Sequence, residues 1–385
     1  MKVSILQTDL NLGLATVSRV VTAKGQLPVL ANVLVEADRG GISLTATNLE
    51  LGLKMRVGGK VVEEGSLTVP ARSLAEFVTT LPSSSSVEME ADGDKLKIKA
   101  GGFGAKFAGI AATEFPVFAK APGGQANIAI GQKTILDVAK QVAYAAAVDE
   151  SRPVLTGVQF KTDPSASFGH AQDKGSGQVL VVTATDGFRL ARKKFKIQDT
   201  KLNEMSGLIL PARTILELSR ILGEQSQEEK VEMEVVKENN QVIFKSGRTE
   251  VISRVLEGNF PEVDKVIPVE FKTTVILEKE ELIKAVRAAS IFARENNNIV
   301  KFNVQSSILK IGARGATSGE SEIELEGEAS GEDVEIAFNY KYVLDCLGGI
   351  GGDRVVLKTS GGMAPGVWGE EKKEDYVALI MPVRV

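Results

Sequence analysis

Val69-Pro70-Ala71-Arg72-Ser73-Leu74 returns one domain-length later as Leu210-Pro211-Ala212-Arg213-Thr214-Ile215. Each copy opens an amphipathic stretch, with Leu74, Phe77, Val78 and Leu81 apolar in the first and Ile215, Leu218, Ile221 and Leu222 in the second. A Val-Glu-Met-Glu strand follows each, at Val87 to Glu90 and Val231 to Glu234. Each block then closes on a Phe-Pro turn, Glu114-Phe115-Pro116 and Asn259-Phe260-Pro261. Recurrence in one order at a near-constant offset marks a duplicated domain. Function is therefore sought in an assembly of repeats before a single cleft.

Working outward, Arg152-Pro153-Val154-Leu155 echoes Leu27-Pro28-Val29-Leu30, and Thr183-Ala184-Thr185-Asp186 echoes Thr45-Ala46-Thr47-Asn48. Apolar spacing predicts a helix over 10–23, with Leu10, Leu14, Val17 and Val21 on one face, and another over 133–147. Alternation predicts strands at 29–35, 42–47 and 51–57. A fainter third block keeps the order: a strand at 274–277, then a helix at 280–294 with Leu282, Val286, Ala289 and Ala293 inward, then further strands. In it, Phe338-Asn339-Tyr340-Lys341-Tyr342 stands where the Pro-Ala-Arg segments stood. The expected domains are 1–122, 127–268 and 270–385. Strands come in runs between helices, which favours an α+β fold of antiparallel meanders over a doubly wound parallel sheet. Residues 163–178, rich in Gly and Ser, read as a surface insertion whose role the sequence does not give.

The 385 residues are 43% hydrophobic and 25% charged, an ordinary globular composition. No apolar run reaches the roughly 18 residues of a membrane span. The chain opens on an alternating strand, without the features of a secretory leader, and Cys346 is its one cysteine, so a reducing cytoplasm is expected. The net charge of −4 gives no bulk reason to expect nucleic acid, so positive charge would have to be segregated onto one surface. Segregation is visible. Lys284, Arg287 and Arg294 form a stripe opposite the apolar face of their helix, and Arg213 and Arg220 share another face with Glu217 between them. Arg19, Lys24, Arg72, Lys133, Lys140 and Lys341 also sit on or beside helices. Acids gather on strands and loops, from Glu88 to Asp94, Glu228 to Glu234 and Glu320 to Glu328.

Catalytic chemistry finds little support. His170 is the one histidine and lies inside the Gly/Ser-rich insertion, so neither a metal site nor a serine triad can be assembled. Cys346 sits on an apolar helical stretch and reads as core. Gly131-Gln132-Lys133-Thr134 lacks the upstream glycine of a phosphate loop, and Gly348-Gly349-Ile350-Gly351-Gly352 reads as a helix stop. No cofactor and no metal are expected.

The ordered set Leu27-Pro28-Val29-Leu30, Val69-Pro70-Ala71-Arg72, Ala184-Thr185-Asp186-Gly187-Phe188-Arg189-Leu190, Asn259-Phe260-Pro261, Phe338-Asn339-Tyr340-Lys341-Tyr342 and Met381-Pro382-Val383-Arg384-Val385 resembles the bacterial DNA sliding clamp family, the beta subunit of DNA polymerase III. The similarity runs over essentially the whole chain. It implies three similar domains per chain and two chains closed head to tail around duplex DNA, with helices lining the hole and sheets outside. The implied function is a non-enzymatic processivity factor that holds duplex DNA without regard to sequence. The implied partners are DNA polymerase III, other polymerases, repair proteins and the clamp loader.

The resemblance also implies a groove for partner peptides. Arg152 and Leu155 would contribute from one segment, and Thr185, Gly187, Phe188, Arg189 and Leu190 from another. Pro261, Lys265 and Val266 would border it, with Asn339, Tyr342 and Met363 from the third domain and Met381, Pro382, Val383 and Arg384 from the tail. DNA-facing candidates are Lys24, Arg72, Arg213, Lys284, Arg287, Arg294 and Lys341, and the seam between chains would join Phe107 to Ile291 and Phe292. Phe188 stands where many members have histidine, Lys265 where arginine is common, and Pro153 and Val154, beside Asp149, where some have aromatic residues. The rival readings are a monomeric β-rich protein-binding scaffold without DNA and an enzyme at a domain junction.

Overall fold

The computed structural model describes residues 1–22, 27–116, 118, 128–163, 178–197, 202–223, 230–305 and 308–384. Lys24, His170 and Val385, and all but the ends of the 163–178 insertion, lie outside the described residues. The helices are α1 (Gln7–Val17), α2 (Ala71–Thr79), α3 (Gln132–Gln141), α4 (Ala212–Gly223), α5 (Lys279–Ala293) and α6 (Tyr340–Gly349). Each starts directly from the end of a strand: Lys2–Leu6, Gly65–Pro70, Ile128–Gly131, Ile209–Pro211, Thr273–Glu278 and Val334–Asn339. The same strand-to-helix unit therefore occurs twice in each of three tandem copies.

Local chemistry explains the Pro-Ala-Arg signature and its replacement. Pro70 precedes α2 with φ −54°, the value its ring imposes, and its missing N–H costs nothing at a helix start. In the third copy Asn339 takes that place and caps α6 through its side chain, whose Oδ1 accepts the Lys341 backbone N–H at 3.0 Å. Arg72, Arg213 and Lys341 consequently share one position, second in the helix, and all are exposed.

A hydrogen-bonded strut joins the two helices of every copy, buried in the first two and part-buried in the third. Gln7 at the start of α1 donates from Nε2 to the Val78 carbonyl near the end of α2, at 2.8 Å. Gln132 at the start of α3 donates to the Leu222 carbonyl near the end of α4, at 2.7 Å. In the third copy Lys279 does the same from Nζ to the Ile350 carbonyl, at 3.2 Å. The last turn of a helix leaves carbonyls without intrahelical donors, and each strut satisfies one of them. Gln132 thus belongs to architecture, in the segment with a faint phosphate-loop look.

Among the described residues every strand pairing is antiparallel, as the α+β reading expected. The chain forms two compact units, residues 1–132 with 220–255, and 133–219 with 256–385. The first holds a five-stranded sheet ending on Phe103–Ala108 and an eight-stranded sheet. In that larger sheet Thr249–Arg254 pairs with Leu51–Val57, Thr249 opposite Met55. The second unit holds a nine-stranded sheet, in which Arg189–Ile197 pairs with Tyr376–Ile380, and a four-stranded sheet edged by Glu320–Glu326. Strands from different repeats thus share sheets. In the second unit Phe302, Phe338 and Trp368 form an edge-to-face core cluster with ring centroids 5.5–5.9 Å apart.

Several expectations need correction. Pro28–Ala31 and Pro153–Thr156 are short 3-10 turns, and the strand expected at 29–35 is Asn32–Asp38. Proline starts a helical turn readily but gives a sheet no N–H. The first helix ends at Val17, not residue 23, and passes into the 3-10 turn Ser18–Val20, while α3 stops at Gln141 before the turn Ala143–Ala145. Glu217 is buried at 7% exposure and so does not lie among the surface bases of α4. The inward face expected of α5 holds: Leu282, Val286, Ala289 and Ala293 are all buried.

Substituting Gln132→Leu strands the Leu222 carbonyl without its donor. The expected loss is about 1–3 kcal/mol, the penalty for an unpaired buried polar group. Urea unfolding measures it, and a change within about 0.5 kcal/mol of the parent would show that the strut is dispensable.

Candidate functional site

The Thr-Ala-Thr-Asp echo ends in a hairpin turn built the same way twice. In the first copy Asn48 Oδ1 accepts the Glu50 and Leu51 backbone N–H groups at 3.1 and 2.8 Å, and Thr47 Oγ1 donates to the Leu51 carbonyl. In the second, Asp186 Oδ1 accepts from Phe188 and Arg189, both at 2.9 Å, and Thr185 Oγ1 donates to the Arg189 carbonyl at 2.7 Å. The residue after the Asx position has positive φ, +78° at Leu49 and +91° at Gly187, so glycine relieves strain in the second copy alone.

The second turn carries additional chemistry. Arg189 donates from Nε to Asp186 Oδ2 at 2.9 Å and from Nη1 to Asp345 Oδ2 at 2.6 Å. Its guanidinium lies 4.5 Å from the Tyr342 ring centroid and 5.6 Å from that of Tyr144. Burial works against this charge, but the Asp345 bond and both carboxylates outweigh it and hold the pKa above the ordinary arginine value. Beneath it the Tyr144 and Tyr376 hydroxyls lie 2.9 Å apart, both pushed well above the usual tyrosine range, chiefly by burial. Burial likewise pushes the Cys346 thiol up to about 12, against the opposing pulls of Tyr144 and Arg189. Such a thiol is no nucleophile near neutrality, in keeping with its core position.

The C-terminal strand brings its tail against this turn. The Met381 N–H donates to the Phe188 carbonyl and the Val383 N–H to the Ala337 carbonyl, both at 2.8 Å. Phe188 and Met381 are thus neighbours, 64% and 37% exposed. Exposed hydrophobic side chains in one place mark a surface suited to binding. Arg152 approaches Gly187, its Nη1 lying 3.8 Å from where a Cβ would stand. Leu155 is buried, its carbonyl accepting the Ala147 N–H. Leu190 belongs to an apolar cluster with Val263, Val367 and Leu379, against which Phe260, Ile267 and Phe271 pack. Exposed Pro261, Lys265 and Val266 flank Val263, and Lys265 pairs with Glu262 at 2.6 Å.

Met363 is 63% exposed beside Gly362, which abuts the Glu335 carbonyl, and Arg384 is exposed. Asn339 spends its side chain on the helix cap. The sequence reading overlooked Leu379, Val263 and Val367, whose only signal was alternation in short strands and turns, and Asp345, which follows Tyr342 by three positions on α6. Phe77, read from sequence only as part of an apolar helix face, meets the Phe107 ring edge-on at 5.8 Å.

Of the cation candidates, Arg72, Arg213, Lys284, Arg287, Arg294 and Lys341 are all exposed. Lys284 and Arg287 lie on α5 opposite its buried face, and Arg294 sits at its C-cap. Ile291 is 57% exposed, whereas Phe292 is half-buried under the turn at Gly319. Among the described residues no group of three or more His, Cys, Asp or Glu is disposed to hold a metal ion, and no helix is long and apolar enough to cross a membrane.

Comparison with known proteins agrees along the whole length. The N-terminal, central and C-terminal domains of the DNA polymerase III beta subunit match residues 1–119, 129–262 and 264–384. The beta sliding clamp of a Synechocystis species is 31% identical over 407 residues, covering 100% of both chains. The solved DNA polymerase sliding clamp of Bacillus subtilis superposes with a TM-score of 0.90 at 27% identity, covering 100% of this chain and 99% of that one. The sliding clamp of Pseudomonas aeruginosa bound to griselimycin gives 0.86 at 28% identity, covering 100% of both. With three copies of one helix-pair domain, in the family's order and over its full length, this chain belongs to the DNA polymerase III beta subunit family, the bacterial beta sliding clamps.

Proposed function

We propose that two copies of this chain close head to tail around duplex DNA and serve as the processivity clamp of a replicative polymerase. The observation that carries this reading is the recurring cation at the second position of α2, α4 and α6, Arg72, Arg213 and Lys341, exposed in each copy while the net charge of the chain is −4. Phosphate contacts of this kind ignore base sequence and weaken with salt, which permits movement along the duplex. Closure prevents escape, and a tethered polymerase then meets its primer again at high effective concentration. Lys284, Arg287 and Arg294 add exposed cations along α5. Lys24 belongs with them by family resemblance. On this reading the protein acts in the cytoplasm, catalyses no reaction, and is organised as domains over 1–122, 127–268 and 270–385.

The seam is assigned to two open sheet edges of opposite charge. Phe103–Ala108 ends the five-stranded sheet, with Lys106 exposed on it and Lys95 and Lys99 on its neighbour. Glu320–Glu326 ends the four-stranded sheet and exposes Glu320, Glu322, Glu324 and Glu326. Unpaired edges invite pairing with another chain, and a closed two-chain ring leaves neither free. Phe107, edge-on to Phe77, would meet Ile291 and Phe292 across it.

Partner proteins are assigned to the surface around Phe188, Arg189, Leu190 and Met381. Arg152, Leu155, Thr185 and Gly187 form its near wall, and Pro261, Lys265 and Val266 its rim. Asn339, Tyr342, Met363, Pro382, Val383 and Arg384 complete it. Met363 and Met381 suit a site that takes several partners, because unbranched thioethers repack readily.

In solution the chain should run near twice its 41.1 kDa mass. A monomer mass would favour a protein-binding scaffold instead. Once loaded on a closed circular duplex the protein should stay bound, and should be lost when the circle is cut; equal loss from both forms would refute encirclement. Replacing Lys284 and Arg287 together by glutamate should weaken DNA contact and lessen its salt dependence by about two charges' worth of slope. An unchanged slope would remove α5 from the DNA-facing surface. Deleting residues 381–385 should abolish griselimycin binding and leave the solution mass unaltered. Retained binding would exclude the tail from the groove.

A further inference from the structure

The turn at Asp186 does more than its geometry requires. Its counterpart in the first copy closes with the same pair of backbone bonds from a neutral residue, Asn48. The carboxylate at 186 is therefore not needed for the turn, and its second oxygen is spent on Arg189. Leu51 occupies the corresponding place in the first copy, with no guanidinium to hold. Of these two turns, the second has an arginine and two acids that hold it.

We propose that Asp186 and Asp345 are positioning residues of the partner groove, acting by locking the Arg189 guanidinium against the Tyr342 ring; the proposal rests on the groove reading above. Asp345 lies three positions after Tyr342 on α6, so both project from one face of that helix. Its bond to Arg189 Nη1 at 2.6 Å ties α6 directly to the hairpin that carries Phe188. The Arg189 side chain is only 10% exposed and is flanked by Tyr342 and Tyr144, so packing as well as ion pairing holds it. Tyr342 on one element and Phe188 with Met381 on the other are then held at a fixed separation. A partner docks into a preformed site and avoids the cost of ordering it.

Asp186→Asn separates positioning from folding, since Asn48 shows that asparagine supports this turn. With griselimycin as the calorimetric probe on the full-length protein, Asp186→Asn and Asp345→Asn should each weaken binding about tenfold, the equivalent of one charge-assisted hydrogen bond. Solution mass and thermal midpoint should stay close to the parent's. Asp345→Glu should recover part of the loss. In a Tyr342→Ala background, Asp345→Asn should cost nothing further, because the group it positions is gone. Parent-like affinity in both asparagine variants, or full additivity with Tyr342→Ala, would overturn the proposal. A Leu155→Asp control reports on the groove itself: if griselimycin still binds that variant normally, the groove reading falls and this proposal with it.

Discussion

A hydrogen bond from the start of one helix to the open end of its partner recurs in all three copies, from Gln7 to Val78, Gln132 to Leu222 and Lys279 to Ile350. A helix pair can slide or splay while its apolar faces remain buried, since hydrophobic contact is non-directional. A buried donor with one acceptor within reach removes that freedom. Because each helix also grows directly out of a strand, the strut fixes the helices against the sheets as well as against one another. The third copy makes the same bond with a lysine, so the constraint survives where sequence identity with the other copies has faded.

The constraint has electrostatic consequences. It sets the start of each second helix in an equivalent frame, and that is where Arg72, Arg213 and Lys341 stand. An acidic chain can present a basic surface only by such sorting, with glutamates displaced to strands such as Glu320–Glu326. On the proposed function, contacts between these cations and phosphate stay individually weak so that the protein can move, and closure of the ring, not affinity, would be the source of retention. The proposed partner groove follows the opposite logic. Arg189 is held by two carboxylates and two aromatic rings, the arrangement expected of a site that is ordered before it is filled.

Much of this was legible in the residues. The strand-to-helix repeat, its third copy at Asn339-Tyr340-Lys341, the inward face of α5 and the core position of Cys346 all follow from local pattern. The 3-10 turns at Pro28 and Pro153 did not, because Val29 and Leu30 are apolar and buried in either conformation. Sharing of sheets between repeats was also invisible, since an alternating strand such as Leu51–Val57 carries no label naming Thr249–Arg254 as its neighbour. The struts escaped notice for a related reason: a single glutamine ahead of a helix looks like any polar surface residue. At the proposed groove, the residues of the 185–190 motif were readable, but Asp345 was not, because what distinguishes it is a bond to a residue far away in sequence.

Ring closure is the central claim, and covalent capture at the seam tests it most directly. In a Cys346→Ser background, cysteines introduced as Phe107→Cys and Ile291→Cys can be joined by a short bismaleimide after loading on a closed circular duplex. The expected result is a two-chain product that stays with the circle in denaturing detergent and is released when the DNA is cut. Failure to cross-link between chains, or release from the intact circle, would contradict encirclement by a dimer.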